Sequence, residues 1–472
     1  MLWPGSNVMT AKKLFPISAI AAAMMLLSGC GVFTRATFQP PEVIIPANWQ
    51  QTTVNQQVSL DPWWQKFNNP ELNQLITDVL KKNNELTLAT LTLQKARLEA
   101  GLTATDRWPQ VSASAAASKS KLLDGGSSSN SYSASFSVSY EADLWGKVAA
   151  NVDASSWSAM ASAEDRESTA QSLVATTASL YWQIGYLKQR ITLSQNSIDY
   201  AKQTLELTQN QYAAGAVSKL NVLEAQRNLA GQESSHSELL QQLTEAENAL
   251  ALLFNQPPLQ LSLQIDKLPN GPVPEIAAGV PADLLVRRPD VKAALYSLRA
   301  ALASKDATFA SYFPTLSLTG AVGDSSNELT NLLRNPVGTL GAGLTLPFLQ
   351  WQQMSLNNQM AEVDYESAVV TYRKTLYQAF EDVNNAISAR RQYAYQGEKL
   401  QLQYTAAAAA EKIYESQYRH GAIAIQNWLD AQETRRSAEV SLLQNHYNQL
   451  TAQATLYQAL GGSDIAPPLA EN

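Results

Sequence analysis

The chain of 472 residues is 45% hydrophobic and only 16% charged, with 21 glycines and 20 prolines, which is too apolar for disorder and too poor in turn residues for an ordinary β-sandwich. A net charge of −7, from 34 Lys+Arg against 41 Asp+Glu, supplies no basic stripe to neutralise phosphates, so no nucleic-acid partner is expected. A single cysteine, Cys30, excludes an internal disulfide and a thiolate zinc cluster, and the three histidines, His236, His420 and His446, are far apart in sequence.

Near the start, Lys12 and Lys13 precede an apolar run over residues 14–27 that is interrupted only by Pro16 and Ser18. As a helix this run spans roughly 21 Å, short of the ~30 Å hydrocarbon core, so it reads as the h-region of a signal peptide. Met9 is an alternative start to Met1. The run ends Leu27-Ser28-Gly29-Cys30, which resembles the bacterial lipobox, in which the cysteine receives lipid and becomes the mature N-terminus. That resemblance makes Cys30 the expected lipidation site, and Gly31 lacks the aspartate that retains lipoproteins at the inner membrane. More than one acyl chain gives stable anchoring. Residues 38–46, with three prolines, then read as an extended tether.

A helix is expected over 71–105, ending where Trp108-Pro109 forces an extended exit. Strand-like stretches follow at 111–117 and 132–142. In the second, Tyr132, Ala134, Phe136, Val138, Tyr140 and Ala142 alternate with Ser133, Ser135, Ser137, Ser139 and Glu141. The Ser-rich residues 119–131 read as the connection between these strands. Between 146 and 212 there is no proline and one internal glycine, Gly185, while apolar or small residues recur at alternating spacings of three and four from 184 to 208. This predicts a helix about 100 Å long. A second helix is expected over 220–254 and a shorter one over 282–310, ending before Phe313-Pro314. Strands at 316–322 and 340–348, joined by 324–336, precede helices over 352–417 and 424–460.

The order of elements repeats. At an offset of 206, residues 212–226 and 418–432 share seven identities in fifteen, and at 205 Trp108-Pro109 overlies Phe313-Pro314. A repeat this long is two copies of a complex motif, not a solenoid. Tyr132 and Tyr140 lie eight residues, or about 27 Å, apart along one strand and bracket its apolar face, as an aromatic girdle would in an outer-membrane barrel. Four strands cannot close a barrel, because an open edge in lipid leaves backbone groups unsatisfied. Other subunits must complete the wall.

Several motifs in this order resemble the trimeric outer-membrane efflux factors of the TolC, OprM and CusC type. They are Asp61-Pro62-Trp63-Trp64, Asp106-Arg107-Trp108-Pro109, the run from Tyr140 through Asp143-Leu144-Trp145-Gly146-Lys147, Arg287-Arg288-Pro289-Asp290, and the turns Tyr212-x-x-Gly215 and Tyr418-x-x-Gly421. The resemblance implies a mainly α fold with a β-barrel part. Three chains would pool four strands each into a twelve-stranded outer-membrane β-barrel, continuous with a periplasmic α-helical barrel. On that pattern 1–29 is the signal peptide, 30–60 a lipid-anchored tether, 61–107 a helix and equatorial part, and 108–145 the first β-hairpin. Residues 146–255 form the first long helical hairpin, 256–312 an equatorial linker and helix, 313–350 the second β-hairpin, 351–462 the second long helical hairpin, and 463–472 the C-terminal tail.

The implied function is the exit duct of a tripartite efflux pump for drugs or small toxic compounds. Its partners would be two further copies of the chain, a periplasmic adaptor, an inner-membrane pump and outer-membrane lipid, and it needs no cofactor beyond the covalent lipid on Cys30. The resemblance also carries over a periplasmic gate: Asp430 matches the family's entrance aspartate, and Asn427 falls where TolC has a second one. Tyr418 keeps the gate tyrosine, Asn221 takes the place of its aspartate partner, and Ile423 replaces TolC's gate arginine. Gly215 and Gly421 mark the adaptor-contacting tips. Rival readings are a protein-secretion duct, a periplasmic adaptor with one helical hairpin, and a coiled-coil lipoprotein. An enzyme is disfavoured because GxSxG, GxxxxGK[ST] and HExxH are absent. Of seven methionines only Met160, Met354 and Met360 follow Cys30, which disfavours a copper route.

Overall fold

The computed structural model describes residues 34–47, 62–125, 127–257, 264–271, 273–274 and 287–462. The signal segment 1–29, Cys30, Asp61 and the tail 463–472 lie outside the described residues. The elements are α1 (Pro70–Lys82), α2 (Asn84–Ala104), β1 (Gln110–Lys121), β2 (Ser128–Ala142), α3 (Lys147–Ala213), α4 (Lys219–Leu253), α5 (Pro289–Ala310), β3 (Thr315–Ser326), β4 (Val337–Thr345), α6 (Trp351–Arg419) and α7 (Ile425–Ala459). The chain divides into two compact units, and α3 and α6 contribute residues to both.

The first unit takes in Leu93–Ser162 and Ala294–Arg373. Its four strands form one antiparallel sheet in the order β1-β2-β3-β4, so the two expected hairpins are joined through β2 and β3. The sheet hands over to α3 through Asp143, whose carboxylate accepts from the amides of Val148 (3.0 Å) and Ala149 (2.8 Å) and so satisfies donors of the first turn. Gly146 at φ +73° makes the bend, and Lys147 pairs with Glu141 at 2.5 Å. The Trp145 indole donates to the carbonyl of Pro314 (2.8 Å) and packs on Phe313, which ties the ends of β2 and β3 together. Nearby, the Arg299 guanidinium lies 4.7 Å from the ring centres of both Phe38 and Trp157.

The second unit holds a large apolar core. Trp182, fully buried, meets Phe67 at 4.9 Å, while Trp63 stacks on Tyr457 at 5.0 Å. The Trp-Trp motif therefore serves packing, as does Arg288, whose buried guanidinium donates to Asp290, Asp382 and the carbonyl of Ala459. Tyr181 donates to Glu71 (2.7 Å) and accepts from Asn69 (2.9 Å); burial, with the Glu71 carboxylate adding to it, holds its hydroxyl above the usual phenol range.

Three expectations need correction. The helix expected over 71–105 is broken at Asn83, whose Oδ1 accepts from the amides of Glu85 and Leu86 while its Nδ2 donates to the carbonyl of Leu253. One side chain ends α1, caps α2 and pins the break to α4. The strand expected to run to 348 stops at Thr345, because Pro347 cannot continue a ladder and instead opens a 3-10 turn over Pro347–Leu349. Conversely, β1 and β2 reach Lys121 and Ser128, well into the stretch expected to be a loop.

Gly185 is the one glycine inside α3 because of a close approach: a Cβ there would sit 2.6 Å from Cδ1 and 2.9 Å from Cγ1 of Ile265. Overpacking against Ile265 outweighs the gain in helix propensity, so Gly185→Ala should cost about 1 kcal/mol net. Differential scanning fluorimetry in detergent should show a lowered transition that Ile265→Val restores in part.

Candidate functional site

The register of the sheet sorts every side chain to one of two faces. Val138 opposes Val111 and Gly320, Phe136 opposes Ala113 and Val322, and Tyr140 opposes Leu318, with Leu316, Leu340, Ala342 and Leu344 on the same face. The other face carries Ser112, Ser114, Ser135, Ser137, Ser139, Thr319, Thr339, Gly341 and Gly343. Hydroxyls pair across it, Ser112 with Ser137 at 2.7 Å and Ser114 with Ser135 at 2.8 Å. On the apolar face, Leu340 is 92% and Leu344 65% exposed. A contiguous apolar face of this kind marks a surface meant for lipid or a partner. Tyr132 and Tyr140 both lie on it. Among the described residues no strand lies beside the outer edges of β1 and β4.

The two helical turns, both in the second unit, are built alike. In the first, the Ala216 amide donates to Gln211 (2.8 Å) and the Gly215 amide to Tyr212 (3.0 Å); in the second, Ala422 donates to Gln417 (2.9 Å) and Gly421 to Tyr418 (2.9 Å). These are paired Schellman closures, and they need a left-handed residue, met by Gly215 at φ +75° and Gly421 at φ +73°.

Beyond the turns the copies diverge. Ser218 caps α4, and its amide (3.2 Å) and hydroxyl (2.7 Å) both donate to Asn221 Oδ1 in a capping box. At the matching place before α7 stands Ala424, which has no side chain to cap with, so Asn427 makes no such box. Among the described residues no hydrogen bond joins Asn221 to Tyr418. The Tyr418 hydroxyl instead accepts from Gln211 Nε2 at 3.4 Å, and its ring stacks on Trp428 at 5.3 Å. Asp430 is exposed and accepts from Gln426 one turn earlier at 3.0 Å.

Sequence reasoning missed Trp428 and Gln211 at this turn. Trp428 occupies the position where the first copy has the buried Val222, and that mismatch within the repeat was the available signal. An aromatic pair of this geometry contributes about 0.5–1.5 kcal/mol.

A profile of the family described as outer membrane efflux protein matches residues 75–256 and 280–462, two segments offset by 205 residues at their starts and 206 at their ends. The chain belongs to the outer membrane efflux protein family. The two matched segments are the two copies of the duplication. Among relatives, the pyoverdine export outer membrane protein OpmQ of Pseudomonas aeruginosa is 30% identical over 94% of this chain and 96% of its own. Toxin and drug export protein A of Aggregatibacter actinomycetemcomitans is 27% identical over 96% of this chain and 98% of its own. The open state of the MtrE outer membrane channel of Neisseria gonorrhoeae superposes with a TM-score of 0.81 at 28% identity, covering 92% of this chain and 99% of that one.

The divergence of the caps gives a test. Ser218→Ala should loosen the start of α4 by about 1 kcal/mol, and Ala424→Ser should tighten the start of α7 by a similar amount. Amide hydrogen exchange should register roughly fivefold changes of opposite sign at the two turns.

Proposed function

We propose that three copies of this chain close their sheets into one twelve-stranded outer-membrane barrel and that the assembly is the passive exit duct of a tripartite efflux pump. The observation that carries this is the four-stranded meander with two unpaired edges, one apolar face and one face of hydroxyls and glycines. Lipid on the apolar face, water on the other and a neighbouring copy at each edge satisfy all of these at once. Membership of the efflux family and the likeness to an outer membrane channel support a transport role rather than a catalytic one.

The long helices would continue the duct into the periplasm, with the turns at Gly215 and Gly421 meeting the adaptor of an inner-membrane pump. Cys30 would carry the lipid anchor, on the strength of the sequence Leu27-Ser28-Gly29-Cys30. Drugs and other small toxic compounds are the proposed cargo, in keeping with relatives named for drug and pyoverdine export.

The proposed gate lies at the second turn. Three copies of the exposed Asp430 would form an acidic ring at the entrance, attracting cations and repelling anions, with Asn427 adding polarity without charge. Tyr418, held by Trp428 and Gln211, would keep the turns closed by packing and neutral hydrogen bonds, each contributing about 1 kcal/mol. Asn221 would act indirectly, by fixing the start of α4.

Planar-bilayer recording of the purified protein tests this. Discrete channels are expected, and Asp430→Ala should raise their conductance or weaken block by multivalent cations. Absence of any channel would overturn the duct; unchanged conductance and block in Asp430→Ala would remove Asp430 from the gate.

A further inference from the structure

Past Tyr132, toward the closed end of the first hairpin, the ladder between β1 and β2 runs on without a bulge: Lys119 pairs with Asn130 and Lys121 with Ser128. Strand alternation therefore assigns both lysines to the face of Val111, Ala113, Ala115 and Ala117, while Ser118, Ser120, Ser129 and Ser131 take the hydroxyl-bearing face. Neither lysine points where a lumen would be. They sit two and four residues beyond the Ala117–Tyr132 pair that ends the apolar band, on the outward face and at the end of the sheet away from the helices. Both are exposed, and no ion pair engages them among the described residues. On the same face Asp324 lies two outward rows short of Lys119, in the row of Ala115 and Ala134, where its carboxylate accepts from the amide of Asn335 at 3.3 Å.

We infer that Lys119 and Lys121 form a docking surface for the phosphate-bearing head groups of outer-leaflet lipid around the barrel. This rests on the trimeric-barrel reading, which puts the apolar face in hydrocarbon and the hairpin end at the outer surface. Two ammonium groups on alternate residues of one strand are about 7 Å apart at their Cα atoms, and flexible stems let both reach one diphosphorylated head group or two neighbouring ones. Repeated on three chains, the pairs would form a cationic collar directly above the aromatic girdle. A cation just above the hydrocarbon edge is well placed to meet anionic lipid, whereas a lysine inside the band would be expelled.

The test uses the full-length trimer in nanodiscs of phosphatidylethanolamine doped with lipid A, with native mass spectrometry counting retained lipids. Wild type should retain lipid A in preference to phosphatidylcholine supplied at the same level. Lys119→Gln with Lys121→Gln should lose most of that preference, on the order of fivefold per lysine, and the Lys→Arg pair should keep it. Equal retention of lipid A by wild type and the Gln variant would overturn the inference, as would displacement of lipid A from wild type by millimolar inorganic phosphate. Single-channel conductance of the same variants separates the two ideas. Normal channels with unaltered lipid retention sink the collar alone, whereas a monomer without channels in the wild type sinks the barrel and the collar with it.

Discussion

Backbone N–H and C=O groups at the edge of a sheet need partners, and hydrocarbon supplies none; each orphan there costs several kcal/mol. In this chain the unpaired edges of β1 and β4 flank a sheet whose outward face is built mainly of Val, Leu, Ala, Phe and Tyr, with Asp324, Lys119 and Lys121 toward its hairpin end. Water would satisfy the edges but not the apolar face, and hydrocarbon the face but not the edges. Closure against identical neighbours resolves both. The same constraint accounts for a sheet of only four strands, since a chain that relies on two siblings need not build more.

The two-sided alternation then divides the labour. Bulk on one face excludes water, and the serine ladder and glycines on the other leave space and hydrogen bonds for it. No acidic or basic residue lies on the hydroxyl face within the paired stretch except Glu141, which is matched by Lys147. Selection by charge within the barrel is accordingly weak, which leaves discrimination to the proposed gate at the helical turns. There the second copy of the duplication has alanine where the first has its cap serine and Trp428 where the first has Val222, so the two turns differ in cap and packing.

Much of this was legible in the amino-acid order because the governing signals are long. The absence of proline through α3 and α6, and strict alternation in β2, fix elements to within a few residues. What was not legible depends on single side chains or tertiary contacts. Asn83 looks like any polar residue in a helix until its amide finds Leu253. Ser118, Ser120, Ser128, Ser129 and Ser131 belong to a stretch with the composition of a loop, and only their register partners make them strand. Asn221 could be matched to a gate position by resemblance, yet Ser218 three residues earlier claims its side chain. The stack of Tyr418 on Trp428 joins residues ten apart across a turn, a contact no periodicity reports.

The sheet of one chain is a third of a wall. Native mass spectrometry of the mature protein released from lipid nanodiscs measures this directly. A trimer persisting at concentrations where a non-specific detergent aggregate would disperse is the expected result. A protein that remains a stable monomer in lipid would contradict the claim, because its open edges would then have to be satisfied by some means other than neighbouring strands.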